Sequence, residues 1–367
     1  MAKKRKIIIS GGGSGGHIFP AIAIANALKQ IDDSIEILFV GAKGKMEMER
    51  VPKAGYPIKG LWISGFQRKL TIRNLMFPFK LLSSLIKAFG IVRKFKPDVV
   101  VGVGGYASGP TLEMAARLGV PALIQEQNSY AGVTNRLLAK KVKTVCVAYP
   151  NMDKFFPKEN IVFTGNPIRQ EITQIEGKRE EAMKHFGLDP TKKTIVVVGG
   201  SLGARAINNA IEASFDGFAN HQKIQVLWQS GKLYIEEFEA KKACQLPNVH
   251  LTKFIDKMDL AYAAADLLIL RAGAATISEL CLVQKPAILM PSPNVSEDHQ
   301  TKNAMALVEK DAAIMVKDEE GAEKMFQTAL DLLNDDAKLQ SLSENVGKLG
   351  MKNAAENIAK EVLKLIK

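Results

Sequence analysis

The chain has 367 residues, 47% of them hydrophobic and 24% charged, with a formal net charge of +12. That length favours two domains over one, and the composition excludes an intrinsically disordered chain. No stretch reaches about 18 uncharged apolar residues, so no membrane-spanning helix is expected. The basic start "MAKKRK" runs into too short an apolar segment for a secretory signal.

In chain order, "KIIIS" (6–10) reads as a buried strand and 18–30 as a helix. "IEILFVG" (35–41) follows as a second strand. The segment 68–96 is basic and apolar together. Between Glu49 and Asp98 there is no acidic residue, while Arg50, Lys53, Lys59, Arg68, Lys69, Arg73, Lys80, Lys87, Arg93, Lys94 and Lys96 are all basic. Within it Leu75, Phe79, Leu82, Ile86 and Phe89 recur at helical spacing, with Lys80, Lys87 and Lys94 on another side. Such a helix suits either a core position with a solvated basic face or binding flat on an anionic membrane surface.

"PDVVVGVGG" (97–105), "PALIQEQN" (121–128) and "TVCVAY" (144–149) continue as strands. The loop-like "GNPIRQEI" (165–172) suggests a domain boundary. The pattern then restarts with "TIVVVGGSLGARAINNAI" (194–211), again strand, glycine turn and helix. "IQVLWQSG" (224–231), "VHLTKFI" (249–255), "DLLILRAGA" (266–274) and "PAILMPSP" (286–293) complete a second series. Short apolar runs alternating with helical segments indicate parallel sheets covered on both faces. The expectation is an α/β chain of two halves, 1–165 and 166–349, with a last helix at about 350–367 packing back on the first half.

The two glycine turns carry the chemistry. A helix begins with unpaired N–H groups and a partial positive charge, so a strand turning sharply into a helix forms an anion site. Gly11, Gly13 and Gly16 give G-x-G-x-x-G. A dinucleotide fold would also need an acid at the end of the second strand, about 20 residues on, to hold ribose. That strand ends "FVGAK" without one. No Gly-Lys-Ser/Thr follows the loop either, so no Walker-type nucleotide site is expected. "GGSLGAR" (199–205) has the same build, and two such loops suggest a diphosphate ligand in one half and a second substrate in the other.

His17 stands at a helix start, where the positive helix end favours neutral imidazole able to accept a proton; it could equally hydrogen-bond only locally. Glu279, early in the helix after "RAGA", could accept two ribose hydroxyls or act as a capping acid. Cys146, Cys244 and Cys281 fit neither a disulfide framework nor a zinc site and are expected to be buried free thiols. No metal-ligand spacing appears. The net charge suggests an anionic partner, but no basic sheet with interleaved aromatics points to nucleic acid.

"GGGSGGHIFPAIAIA", "GVGGYASGP", "QEQN", "GNPIR", "GGSLGAR", "RAGAATISE" and "DHQTKNA" occur together and in order over nearly the whole chain. In this the sequence resembles the MurG family of peptidoglycan N-acetylglucosaminyltransferases. The resemblance implies a GT-B fold: two Rossmann-like domains whose parallel sheets face across a cleft. It implies transfer of N-acetylglucosamine from UDP-N-acetylglucosamine to the C4 hydroxyl of lipid I, with inversion, giving lipid II and using neither cofactor nor metal.

It further implies substrate-binding roles for Ser14, Gly15, Gly16, Asn128, Arg169, Ser201, Ile255, Ala274, Thr276, Glu279 and Gln300. Ser201 would meet the UDP diphosphate, the Ile255 backbone uracil, Glu279 ribose, and Gln300, Asn128 and Arg169 the donor. His17 is the position proposed for the general base, with Glu126 as the alternative carboxylate. The implied place is the cytoplasmic face of the inner (cytoplasmic) membrane, held peripherally, with other cell-wall synthesis proteins as further partners. Ser14 replaces a common threonine and keeps the hydroxyl; Gln125 stands where histidine is frequent. Other GT-B glycosyltransferases and the non-hydrolysing UDP-sugar epimerases are the rival enzyme classes.

Overall fold

The computed structural model describes residues 4–65, 76–168, 172 and 174–366. The chain divides into two compact units: Met1–Arg169 with Met351–Lys367, and Gln170–Gly350. Each unit is built on one sheet whose strand pairs are all parallel.

The first sheet has the order β3-β2-β1-β4-β5-β6-β7. Its strands are β1 (Lys6–Ser10), β2 (Glu36–Ala42), β3 (Ile58–Leu61), β4 (Val99–Gly102), β5 (Ala122–Glu126), β6 (Thr144–Val147) and β7 (Ile161–Phe163). The central strands are buried on both faces, as a parallel sheet under helices requires. Side chains alternate: Ile8, Leu38 and Val100 face one core, while Ile7, Ile9, Val99 and Val101 face the other. The last helix, Ala354–Lys364, packs on the first helix, Gly15–Ile31, and places Ile358, Ala359 and Val362 in that second core.

The second sheet has the order β10-β9-β8-β11-β12-β13. Its strands are β8 (Lys193–Val198), β9 (Ile224–Gln229), β10 (Val249–Thr252), β11 (Leu267–Leu270), β12 (Ala287–Leu289) and β13 (Ile314–Met315). Ile195, Val197, Val226, Trp228 and Ile269 share one core face. The halves repeat a small device. Asp98, just before β4, accepts the Lys6 amide of β1 at 2.7 Å. Asp266, just before β11, accepts the Thr194 amide of β8 at 2.8 Å. Each carboxylate fixes the register of the two strands that flank the topological switch point.

Three strands go beyond the sequence reading: β3, β7 and β13. All are sheet-edge strands of two to four residues, too short for a clear period-two pattern. The first helix begins at Gly15 rather than residue 18, so the glycines themselves form its first turn. Cys146 and Cys281 are buried free thiols, whose burial pushes both up to about 12. Cys244 is only half-buried.

The basic–apolar helix spans Phe77–Phe95; Leu75, Arg68, Lys69 and Arg73 lie outside the described residues. Ser84, Ala88 and Val92 face the core. The stripe Phe79, Leu82 and Ile86 faces outward, 65%, 59% and 65% exposed, so it is not a core face. The lysines differ from expectation. Lys80 donates to the Ser64 hydroxyl at 3.0 Å and Lys87 to the Gly60 carbonyl at 2.7 Å. Their long stems let the ammonium groups turn back toward β3 instead of forming a free basic face. Partial burial, and the charges of Lys43 and Lys59, lower the Lys87 pKa. Lys94 and Arg93 remain exposed.

Candidate functional site

In an open parallel sheet, ligands bind beyond the carboxyl ends of the strands where the strand order reverses. The first sheet reverses between β1 and β4, and the second between β8 and β11. The four loops at those points are 11–14, 103–107, 199–204 and 271–273. Each contains one or more of the glycines singled out from the sequence.

In the first unit the turn Gly11–Ser14 lies against the loop after β4. A Cβ on Gly105 (φ +82°) would come within 2.2 Å of the Gly12 carbonyl oxygen. Only glycines let two backbones approach this closely. The hydroxyl of Ser14 and Nδ1 of His17 are 3.1 Å apart. The Ser14 carbonyl accepts the amides of His17 and Ile18, so it caps the helix through its backbone. The His17 ring packs close to Gly104: a Cβ there would stand 2.8 Å from Nε2 and 3.8 Å from Oε1 of Gln127. The structure thus brings His17 and Gln127, just after β5, against one glycine, with the Ser14 hydroxyl on the His17 ring.

The end of β5 is a buried polar network. Glu126 is 1% exposed. Its Oε1 accepts the Asn128 amide at 3.0 Å and Asn128 Nδ2 at 3.2 Å; its Oε2 accepts the Gly132 amide and Asn135 Nδ2, both at 2.9 Å. Gln125 donates to Asn166 Oδ1 at 2.9 Å, and Asn166 donates to the Gln127 carbonyl at 2.9 Å. Gln127 donates to the Val103 carbonyl at 2.8 Å and also contacts the Gln125 side-chain carbonyl. "QEQN" and "GNP" are therefore two parts of one network. A carboxylate with four N–H donors on it is held as an anchor of its loop.

A residue absent from the sequence reading lies beneath the first turn. Glu47 follows β2 and is 1% exposed. Its Oε2 accepts the Gly13 amide and its Oε1 the Ala42 amide, each at 2.9 Å. There is thus an acid beyond the second strand, but it holds backbone and does not present itself to a ribose. The first turn therefore directs one N–H at an internal carboxylate.

The second turn likewise spends one amide internally, on a carbonyl instead of a carboxylate. Gly203 (φ +90°) donates its amide to the Gly200 carbonyl at 2.9 Å, and Gln229 donates to the same carbonyl at 2.7 Å. A Cβ on Gly203 would meet the Ser230 carbonyl oxygen at 2.0 Å. Ser201 is exposed on this turn. Behind it the helix Arg205–Ala213 begins, with Arg205 paired to both carboxylate oxygens of Glu237 at 3.0 Å.

The remaining positions are linked in pairs. Ile255 is buried at the end of the segment after β10. The next helix, Met258–Ala264, carries Tyr262, whose hydroxyl donates to Glu279 Oε2 at 2.8 Å. Glu279, Ala274 and Thr276 lie on the helix Ala274–Val283 that follows β11. Gln300 Oε1 accepts the Ser292 amide at 2.9 Å, and Asn303, on the same helix, donates to the Ala272 carbonyl at 3.3 Å. Arg271 is locked by the Asp318 carboxylate and the Met290 carbonyl. Arg169 lies outside the described residues. Among the described residues no three His, Cys, Asp or Glu side chains form a metal-binding group.

Sequence reasoning missed Glu47 and Tyr262, and took Asn166 only as part of the loop "GNPIR" without a role. The bonds that give them meaning, to Gly13, Glu279 and Gln125, span 34, 17 and 41 residues.

Residues 7–147 match the glycosyltransferase family 28 N-terminal domain, and residues 194–361 match the glycosyltransferase family 28 C-terminal domain. A protein of Flavobacterium psychrophilum is 54% identical over 370 residues, covering 98% of each chain. One of Phocaeicola vulgatus is 56% identical, covering 100% of this chain and 97% of its own. Both are named UDP-N-acetylglucosamine--N-acetylmuramyl-(pentapeptide) pyrophosphoryl-undecaprenol N-acetylglucosamine transferase. The crystal structure of Acinetobacter baumannii MurG superposes with a TM-score of 0.79 at 30% identity, covering 99% of this chain and all of the other. Full-length identity at this level, with both domains matched, places the chain in glycosyltransferase family 28 as a member of the MurG family with a GT-B fold.

Proposed function

We infer that this chain is an N-acetylglucosaminyltransferase that moves N-acetylglucosamine from UDP-N-acetylglucosamine to lipid I, forming lipid II for peptidoglycan. The full-length identity to relatives named for that reaction carries the conclusion. The direct test is lipid II formation by the purified chain from lipid I and UDP-N-acetylglucosamine. Epimerised UDP-sugar without lipid II would overturn it.

The division of labour follows from the two turns. The second unit takes the donor. The turn 199–204 and the start of the helix Arg205–Ala213 take the diphosphate and stabilise the charge that grows on UDP as it leaves, while the Gly203 amide, held by the Gly200 carbonyl, shapes the turn. Ser201 meets the diphosphate, the Ile255 backbone meets uracil, Glu279 takes ribose hydroxyls, and Ala274, Thr276 and Gln300 complete the donor pocket. The hydrogen bond from Tyr262 keeps the Glu279 carboxylate oriented for that task.

The first unit takes the acceptor. The C4 oxygen of lipid I bonds to the sugar's anomeric carbon as the bond from that carbon to the UDP phosphate oxygen breaks, inverting the centre. The hydroxyl proton passes to His17. With Nδ1 turned to the Ser14 hydroxyl, Nε2 is the ring atom assigned to receive it. Glu126, surrounded by four N–H donors, shapes the loop that carries Asn128. Arg169 is assigned to the donor from the family pattern alone. The chemistry asked of these residues needs no resident metal, because backbone amides take the charge-neutralising role.

The exposed stripe Phe79, Leu82 and Ile86, flanked by Arg93 and Lys94, is suited to lie on an anionic leaflet where the lipid acceptor resides. Attachment through this face is peripheral and, following the family's reaction, on the cytoplasmic side; among the described residues no helix is long and apolar enough to cross a membrane. A variant with Phe79, Leu82 and Ile86 all replaced by serine is expected to bind phosphatidylglycerol vesicles at least tenfold more weakly. Each apolar side chain buried in the interface contributes about 1.5–3 kcal/mol. Unaltered vesicle binding by a variant with a normal melting temperature would remove this assignment. Other cell-wall synthesis proteins are the further partners this location brings within reach.

A further inference from the structure

Glu47 has a geometry that the transfer reaction, as assigned above, does not use directly. It opens the short helix Glu47–Lys53, yet its side chain points away from solvent into the fold. Both carboxylate oxygens accept backbone amides, one from the end of β2 and one from the glycine turn. The glycines around it are shaped to fit. A Cβ on Gly12 (φ +145°) would stand 2.2 Å from Glu47 Oε1, and one on Gly41 2.5 Å from its Cγ. Two segments, the end of β2 and the glycine turn, therefore close on one buried carboxylate. Glutamine would not replace it, because its NH₂ group would face one of the two N–H donors and leave that donor unsatisfied.

The turn that Glu47 holds leads directly to the reacting end of the first unit. Gly13 precedes Ser14, whose carbonyl starts the helix and whose hydroxyl meets the His17 ring. Moving Gly13 moves both. We propose that Glu47 is a positioning residue for glycosyl transfer: its carboxylate fixes the Gly12–Gly13 turn and thereby sets Ser14 and the His17 ring. The proposal rests on His17 as the proton acceptor, and its test keeps the two apart.

The experiment is a double-mutant cycle on the full chain with lipid I and UDP-N-acetylglucosamine. Glu47→Gln is expected to lower kcat by about 10–100-fold, as a misplaced base does. UDP affinity by calorimetry should stay within about twofold of the parent, because the donor turn belongs to the other unit. Glu47→Asp, which keeps the charge, should recover part of the loss. In a His17→Ala background Glu47→Gln should cost less than about twofold, since its effect passes through the missing ring. Equal losses in both backgrounds, undiminished kcat, or a parallel fall in UDP affinity would overturn the proposal. Should Glu47→Gln fail to fold, Glu47→Asp enters the same cycle with a smaller expected loss of kcat that disappears in the His17→Ala background; equal losses in both backgrounds, or no loss in either, would overturn the proposal. Full kcat in His17→Ala alone would instead overturn the assignment of the base.

Discussion

Replacing His17 by alanine is expected to lower kcat by about 10²–10⁴-fold, the range general-base catalysis supplies. UDP affinity should remain within about twofold of the parent. The ring sits at the start of the first helix, with Nδ1 3.1 Å from the Ser14 hydroxyl and its other edge against Gly104. It therefore has a defined orientation and a place at the first switch point. The contrast with Glu126 is instructive. That carboxylate is saturated by N–H donors from Asn128, Gly132 and Asn135, so its removal should appear mainly as lost stability. Single-turnover rates and calorimetric UDP titrations of His17→Ala separate the two effects. A large loss of UDP binding with the chemical step intact would place His17 on the donor instead.

The second large effect concerns two glycines of one turn. Gly200 and Gly203 both have φ near +90°. A Cβ on Gly200 meets nothing within 4 Å, whereas one on Gly203 would meet the Ser230 carbonyl oxygen at 2.0 Å. Gly200→Ala thus adds only backbone strain of about 1–2 kcal/mol. Gly203→Ala adds the same strain and displaces the turn from the strand end beside it. UDP affinity should fall at least tenfold further in Gly203→Ala than in Gly200→Ala. Equal affinities in the two variants would show that the shape of this turn does not govern donor binding.

Much of the fold was legible from the residues. "KIIIS" and "TIVVV" are unambiguous buried strands, and the glycine turns after them stand out because only glycine tolerates such close backbone approach. The strands that escaped notice, β3, β7 and β13, lie at sheet edges and contribute few residues each. In the helix Phe77–Phe95 the periodicity of Phe79, Leu82 and Ile86 was plain, but periodicity does not say which stripe faces the core. Nor does it say where a flexible lysine ends, and Lys80 and Lys87 end on Ser64 and Gly60.

The candidate site was legible to a lesser degree. Glycines and the histidine announce themselves locally; a buried acid such as Glu47 does not. Its meaning comes from Gly13, which reaches it only after the chain has passed through a helix and a strand. Tyr262 likewise reads as an ordinary apolar helix residue until its hydroxyl is found on Glu279.

The most direct test of the account is a crystal structure of the chain with UDP bound. The diphosphate should lie within hydrogen-bonding distance of backbone amides of the 199–202 turn or of the helix start at Arg205, with the ribose hydroxyls on Glu279. A nucleotide bound away from that turn, or a diphosphate held chiefly by a divalent cation, would contradict it.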